Sequence, residues 1–187
     1  IVRLNGTVAK AVPDGRGGWF VGGLFTAGPR SLKNLAHVLP DGSLDPSFQP
    51  DPDGAVRALH LVGDRLFVGG QFQNIDGIAS PNLVLLDSTS GRTNGLRLQA
   101  ASAVSAFAQE GSTLYFGGLF ASVRTYNGNT AVNHARRRVA ALNLGTLQIT
   151  SWSSDAAFGI TGGSDGVLAL AVAGGVVYVG GDFTAAA

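Results

Sequence analysis

The chain has 187 residues, 45% of them hydrophobic and only 13% charged, with a formal net charge of +1. A balance this close to neutral provides no bulk field toward nucleic acid or an anionic membrane surface, and no apolar run approaches the ~20 residues of a membrane-spanning helix. There is no cysteine, which excludes disulfides and thiolate metal sites. Glu110 is the only Glu, and there are two Lys and no Met, so straight-chain helix formers are scarce. Val, Phe, Thr and 28 Gly take their place, and the composition predicts an all-β protein with many tight turns.

Taken in order, residues 1–4 read as a short strand ending at the turn signal Asn5-Gly6. Residues 8–12 alternate and stop at Pro13-Asp14-Gly15. Then comes Trp19-Phe20-Val21-Gly22-Gly23-Leu24-Phe25, the first of four similar stretches. Residues 35–39 form a third strand, Pro40-Asp41-Gly42 turns the chain, and residues 44–48 return it. A second copy repeats the order at 56–62, 65–70, 82–87 and 93–98, and a third at 104–109, 113–118, 139–144 and 147–152. A fourth supplies 167–172 and 176–181.

The four Gly-Gly pairs stand 47, 48 and 63 residues apart. A period of 40–50 residues with four strands per unit is the signature of a β-propeller blade. The expected fold is a β-propeller segment of four-stranded antiparallel blades, about three complete and partial at both ends, over 7–48, 55–98, 103–152 and 166–187. Gly-Gly inside a strand marks a close backbone approach or a bulge. The Phe two positions after each pair is expected to pack between blades. A ring closes with 4–8 blades, so the chain is expected to be a window on a longer protein or one piece of an assembled ring.

The run Val21-Gly22-Gly23-Leu24-Phe25-Thr26, then Asn34-Leu35-Ala36, then Asp41-Gly42-Ser43-Leu44-Asp45-Pro46-Ser47-Phe48 resembles the bacterial delta-60 repeat propellers. The resemblance extends over essentially the whole chain and is most specific in the first copy. Kelch repeats place Gly-Gly similarly and are the second choice, because their later Tyr and Trp positions are not reproduced consistently. Resemblance to the delta-60 family implies a secreted or cell-surface bacterial protein, and implies no shared catalytic residues.

The third copy departs from the pattern twice. Gly23 to Phe48 is 25 residues and Gly118 to Trp152 is 34, with the nine extra residues in 121–137. Phe48 to Val56 is 8 residues and Trp152 to Val167 is 15, with the seven extra in 153–166. In an up-and-down meander both connections emerge on one face. Arg and aromatic side chains anchor interfaces, so Arg124, Tyr126, His134, Arg136, Arg137 and Phe158 are candidate binding residues. The competing reading is a pair of tolerated surface insertions, since added loop length costs little.

Other signals are weaker. Asp41, Ser43 and Asp45 have the oxygen spacing of a calcium loop, with Asp51 and Asp53 behind them, but the bidentate Glu is missing. They read as turns, and no cofactor is expected. His37 and His60 sit in strands and read as structural, and His134 alone lies in a long loop. No pair of them has zinc-ligand spacing. Arg136-Arg137-Arg138 is a basic run that suits phosphate or acidic glycan, or else a solvated loop end. No nucleophile elbow or Walker loop is present. Among the first strands of the copies only Lys10 and Arg57 are charged, making them candidates to line a central channel.

The expected function is a non-catalytic structural or protein-interaction module of a bacterial surface or secreted protein. Its partners would be other domains or subunits of the same assembly, envelope components or glycans, and not nucleic acid. The alternative is a ligand-binding or carbohydrate-active propeller with its site at the central channel.

Overall fold

A computed structural model of the chain describes residues 2–28, 31–93, 95–153 and 166–182. They form antiparallel strands and no helix, in two compact units, Ile1–Leu96 and Arg97–Ala187.

In the first unit, β1 (Leu4–Pro13), β2 (Trp19–Ala27) and β3 (Leu32–Val38) make one sheet. The sheet of β4 (Ala55–Val62), β5 (Arg65–Gln71) and β8 (Leu83–Asp87) is built the same way, with the small hairpin of β6 (Asn74–Ile75) and β7 (Ile78–Ala79) between its last two strands. In the second unit, β9 (Leu98–Ala100) is followed by β10 (Val104–Glu110) and β11 (Thr113–Gly118). Then come the hairpin β12 (Ser122–Asn127) and β13 (Thr130–Ala135), followed by β14 (Val139–Asn143) and β15 (Gln148–Ser153). The sheet orders are β10-β11-β14-β15 and β13-β12-β9, with β16 (Gly166–Ala173) and β17 (Val176–Asp182) as a further pair.

One register recurs in all four Gly-Gly hairpins. Val8, Val56, Val104 and Val167 face Gly23, Gly70, Gly118 and Gly181, and two residues further on Lys10, Ala58, Ala106 and Ala169 face Gly22, Gly69, Gly117 and Gly180. The residue between is left over as a bulge. The second glycine of each pair is sterically compelled. A Cβ there would lie 2.0 to 2.1 Å from the carbonyl oxygen of Thr7, Ala55, Ala103 or Gly166 across the ladder. The first glycine seats a side chain of the following sheet. A Cβ on Gly22 would lie 2.5 Å from Val56 Cγ1, and one on Gly117 would lie 2.5 Å from Val167 Cγ1. Gly-Gly is therefore one position for backbone approach and one for sheet-on-sheet packing.

The core of the first unit lies between its two sheets, where Phe20, Leu35 and Phe48 pack with Val56, Leu59, Leu66, Val68, Phe72 and Val84. Fully burying side chains of this kind contributes roughly 1.5–3 kcal/mol each. A separate cluster of Val21, Phe25, Ala27, Leu32 and Ala36 includes the first copy's Phe. Phe25, Phe72 and Phe120 are all buried. Phe183 lies outside the described residues.

Three local expectations are corrected. Asn5-Gly6 is not a turn. Both residues lie inside β1, where Leu4 faces Ala27, and Gly6 follows the strand at φ +138°, a backbone open to glycine alone. Residues 44–48 and 93–98 are not full fourth strands. Each contributes one bridge, Val38 to Leu44 and Leu86 to Thr93. An Asp45 turn ends the first, its carboxylate accepting the Ser47 amide and hydroxyl. The second passes Gly95 at φ +86° and then changes partner, because Leu98–Ala100 pairs with β12. Only the third copy has a complete four-stranded sheet among the described residues.

Candidate functional site

The nine extra residues of the third copy lengthen a hairpin rather than form an irregular loop. The connection has two ladder pairs in the second copy and six in the third, from Ser122 opposite Ala135 to Asn127 opposite Thr130. The longer ladder gives β9 an edge to join, with Val123, Arg124 and Thr125 opposite Ala100, Gln99 and Leu98.

Side chains of a strand alternate between faces, so this register sorts the sequence candidates. Arg124 shares a face with Gln99, Asn133 and Tyr126, while His134 shares the opposite face with Val123, Thr125 and Leu98. On the first face the Arg97 guanidinium stands 3.9 Å from the Tyr126 ring centroid, a cation–π contact. The Tyr126 hydroxyl donates to Gln99 Oε1 at 3.2 Å. Arg124 is exposed beside them. No acidic residue occurs between Glu110 and Asp155. The face therefore offers planar donors held by neighbours, which suit carboxylate, sulfate or carbonyl acceptors.

His134 plays a different part. Its Nε2 is 2.9 Å from Thr125 Oγ1. Burial, and secondarily the Arg136 charge, hold its pKa below the ordinary imidazole value, which favours the neutral ring. Arg136 turns inward, its Nη2 donating to the Thr150 carbonyl at 2.7 Å and its Nη1 to the Ala135 carbonyl at 2.6 Å. Arg137 is exposed. Arg136 and His134 thus brace the hairpin, and Arg124 and Tyr126 display it. Phe158 lies outside the described residues. Arg97 and Gln99 escaped the sequence reading because residues 93–98 read as a strand of the preceding copy, and nothing local announces a change of partner.

Lys10 and Arg57 do not occupy matching positions. Lys10 faces Gly22, whereas Arg57 is the bulge residue one step earlier, its guanidinium donating to Gln71 Oε1 at 3.0 Å.

A second cluster lies in the first unit. His37 Nδ1 is 2.9 Å from Asp45 Oδ2, and His37 Nε2 is 3.1 Å from Asp14 Oδ2. The ring stacks on Phe20 with centroids 4.4 Å apart. Burial alone would raise the Asp14 and Asp45 carboxyls. At Asp14 the Arg16 amide, the His37 ring and the Gly18 amide outweigh it, and at Asp45 the Ser47 hydroxyl, His37 and the Ser47 amide do. Both carboxyls are held below the ordinary value and are ionised at neutral pH. The group borders a cleft of about 340 Å³ also lined by Arg16, Asp64, Ser88 and Thr89. All four carboxylate oxygens are engaged within the cluster. It ties together the turns after β1 and β3.

The Asp41 carboxylate accepts from the amide and hydroxyl of Ser43, which is turn geometry. Asp53 accepts from the Gln73 and Asn74 amides and the Asn74 side chain. Among the described residues no group of three or more His, Asp or Glu is placed to hold a metal ion, and no helix is long and apolar enough to cross a membrane.

No protein-family profile matches the chain, and no curated protein sequence does. Among solved structures, the computationally designed Ika8 protein aligns over 92% of this chain and 67% of its own, at 14% identity and a TM-score of 0.33. A likeness at that score carries no argument about fold or function.

Proposed function

We infer that the chain is a segment of a β-propeller of the delta-60 repeat kind, serving as a non-catalytic interaction module of a bacterial surface or secreted protein. The propeller reading draws on the shared register of the four Gly-Gly hairpins and on the recurrent seating of a valine against the first glycine. The observation that carries the interaction reading is the lengthened β12–β13 hairpin, whose exposed face presents Arg124, Tyr126 and Asn133 with Arg97 stacked on the tyrosine. Its partner is an acidic surface, either an envelope glycan bearing carboxylate or sulfate or an acidic stretch of a neighbouring domain.

The test is binding of immobilised acidic glycans and acidic peptides by the wild type and by the double variant Arg97→Glu/Arg124→Glu. Reversing both charges is expected to weaken binding at least about tenfold, mostly through association rate and salt dependence. Equal binding by the two proteins, or none by the wild type, overturns the reading.

A further inference from the structure

The β12–β13 hairpin leaves one ladder unfinished. The Arg136 amide donates to the Ala121 carbonyl at 3.1 Å, and the Ala101 amide donates to the Ser122 carbonyl at 3.0 Å. These two bonds fix the phase of the sheet. Opposite residues of an antiparallel ladder alternate between bonded and unbonded pairs. Thr130, Val132 and His134 therefore turn their backbone groups toward β12, and Ala131, Asn133 and Ala135 turn theirs away. β13 stands at one end of the sheet order β13-β12-β9, so no strand of that sheet meets the outward groups. Among the described residues their one partner is the Arg136 guanidinium, which donates to the Ala135 carbonyl at 2.6 Å.

An outward ladder is a template for a further strand, and natural sheets guard it with Lys, Pro, a bulge or a very short edge. β13 has none of these guards. It spans six residues, Thr-Ala-Val-Asn-His-Ala, without Lys, Arg, carboxylate or proline, and it runs without a register break. All of them but His134 are exposed, Val132 to 42%. The matching connection of the second copy has two ladder pairs, so the edge belongs to the third copy and not to the repeat. Successive sheets meet at the seats of Gly22 and Gly117, filled by Val56 and Val167, and no residue of β13 joins a buried cluster. The repeat pattern thus supplies no strand for this edge.

We propose that β13 receives an extended acidic segment of a partner protein as a further antiparallel strand. This rests on the acidic-partner reading above and names how the partner is held. Main-chain bonds to the outward amides of Ala131, Asn133 and Ala135 and the carbonyls of Ala131 and Asn133 supply the attachment. Incoming side chains opposite these three residues share the face of Arg124 and Tyr126 with its stacked Arg97. The added strand would lie two strand spacings, about 9.5 Å, from β12, within the combined reach of an arginine and a glutamate. No acidic residue occurs between Glu110 and Asp155, so carboxylates are favoured there. Side chains opposite Val132 lie on the other face, where an exposed apolar neighbour favours an apolar residue. The recognised segment therefore alternates acidic and apolar residues. A glycan has no alternating amides and carbonyls to match the edge.

The test uses the 187-residue polypeptide and labelled, end-blocked peptides that alternate Glu and Val, with binding followed by fluorescence anisotropy. One peptide is unmodified, one is N-methylated at every Glu and one at every Val. In the proposed register the Glu amides point at β13 and the Val amides point away. Methylating Glu is expected to weaken binding at least about tenfold, and methylating Val less than about threefold. Ala131→Pro removes an outward amide and leaves β12 its donors, and it is expected to weaken the unmodified peptide at least about tenfold. Equal effects of the two methylations, or undiminished peptide binding by Ala131→Pro, overturn strand addition. If Arg97→Glu/Arg124→Glu still weakens binding in that case, the acidic-partner reading stands without it. Binding of a sulfated oligosaccharide but not of the peptide overturns this proposal alone, and binding of neither overturns both. Circular dichroism establishes that the variant folds, and where it does not, the methylated peptides decide.

Discussion

The second and third copies begin alike and then part. β4–β5 and β10–β11 share one bulged register, one backbone clash that only glycine avoids, and one buried valine. The connection that follows has two ladder pairs in one and six in the other, and the longer one draws β9 away from the sheet its sequence position suggests. The entry to the next strand changes too. Asn34, at the register break inside β3, and Asn82, just before β8, stand at φ 63°, where Arg138 stands just before β14 at φ 65°. Asn tolerates that left-handed backbone more readily than Arg. Asn34 also uses it, accepting the Phe25 amide at 3.1 Å and donating to the Pro52 carbonyl at 3.0 Å. Among the described residues, the buried Arg138 Nη1 has no hydrogen-bond partner. Variation is admitted where the chain leaves the ladder and refused where backbone meets backbone.

The sharpest way to break this comparison is at the glycine both copies share. Gly70→Ala and Gly118→Ala place a Cβ 2.1 and 2.0 Å from carbonyl oxygens. Each is expected to cost about 3 kcal/mol or more, read as loss of denaturant midpoint. A loss under about 1 kcal/mol at either site would show that the ladder yields, and that the pair is not compelled. Next come the left-handed positions. Asn34→Ala is expected to cost about 2–3 kcal/mol, since it strands the buried Phe25 amide and leaves Ala in a strained backbone. Arg138→Asn should instead stabilise by about 1 kcal/mol by relieving that strain. If both substitutions move stability in the same direction, the equivalence of the two sites fails.

The third prediction concerns a feature of the first copy alone. His37 faces Phe20 where Leu85 faces Phe67 and Ala141 faces Tyr115. The folded Asp14 and Asp45 carboxyls lie below their ordinary value, so their contribution is fully present above the unfolded pKa, about 3.9, and is lost as pH falls through the folded values. His37→Leu removes one support from each carboxyl. Acid unfolding, followed by fluorescence and circular dichroism, is expected to begin at higher pH, closer to that ordinary value. An unchanged acid limb would mean that the turn amides and hydroxyls hold the carboxyls alone. The smallest effect is expected in the hairpin. Arg97→Ala loses a cation–π contact of about 0.5–1 kcal/mol, seen as faster amide exchange confined to β9 and β12. Uniformly faster exchange would tie the hairpin to the rest of the unit instead.

Local pattern determined much of this protein before any contact was known. Alternating apolar residues placed the hairpins, the Gly-Gly spacing aligned four copies, and Asp41 and Asp45 announced their turns. These are short-range signals, because strand alternation and turn chemistry depend on neighbouring residues. Tertiary structure alone decided what those signals could not reach. It moved Leu98–Ala100 onto β12, set Arg97 over Tyr126, turned Arg136 inward while Arg124 stayed exposed, and closed His37 between Asp14 and Asp45 across 23 and 8 residues. Each of those outcomes joins segments whose local preferences are satisfied equally well by another partner. The choice between partners is made by packing and hydrogen bonding in the folded chain, where an unpaired edge or a buried unpaired charge is costly.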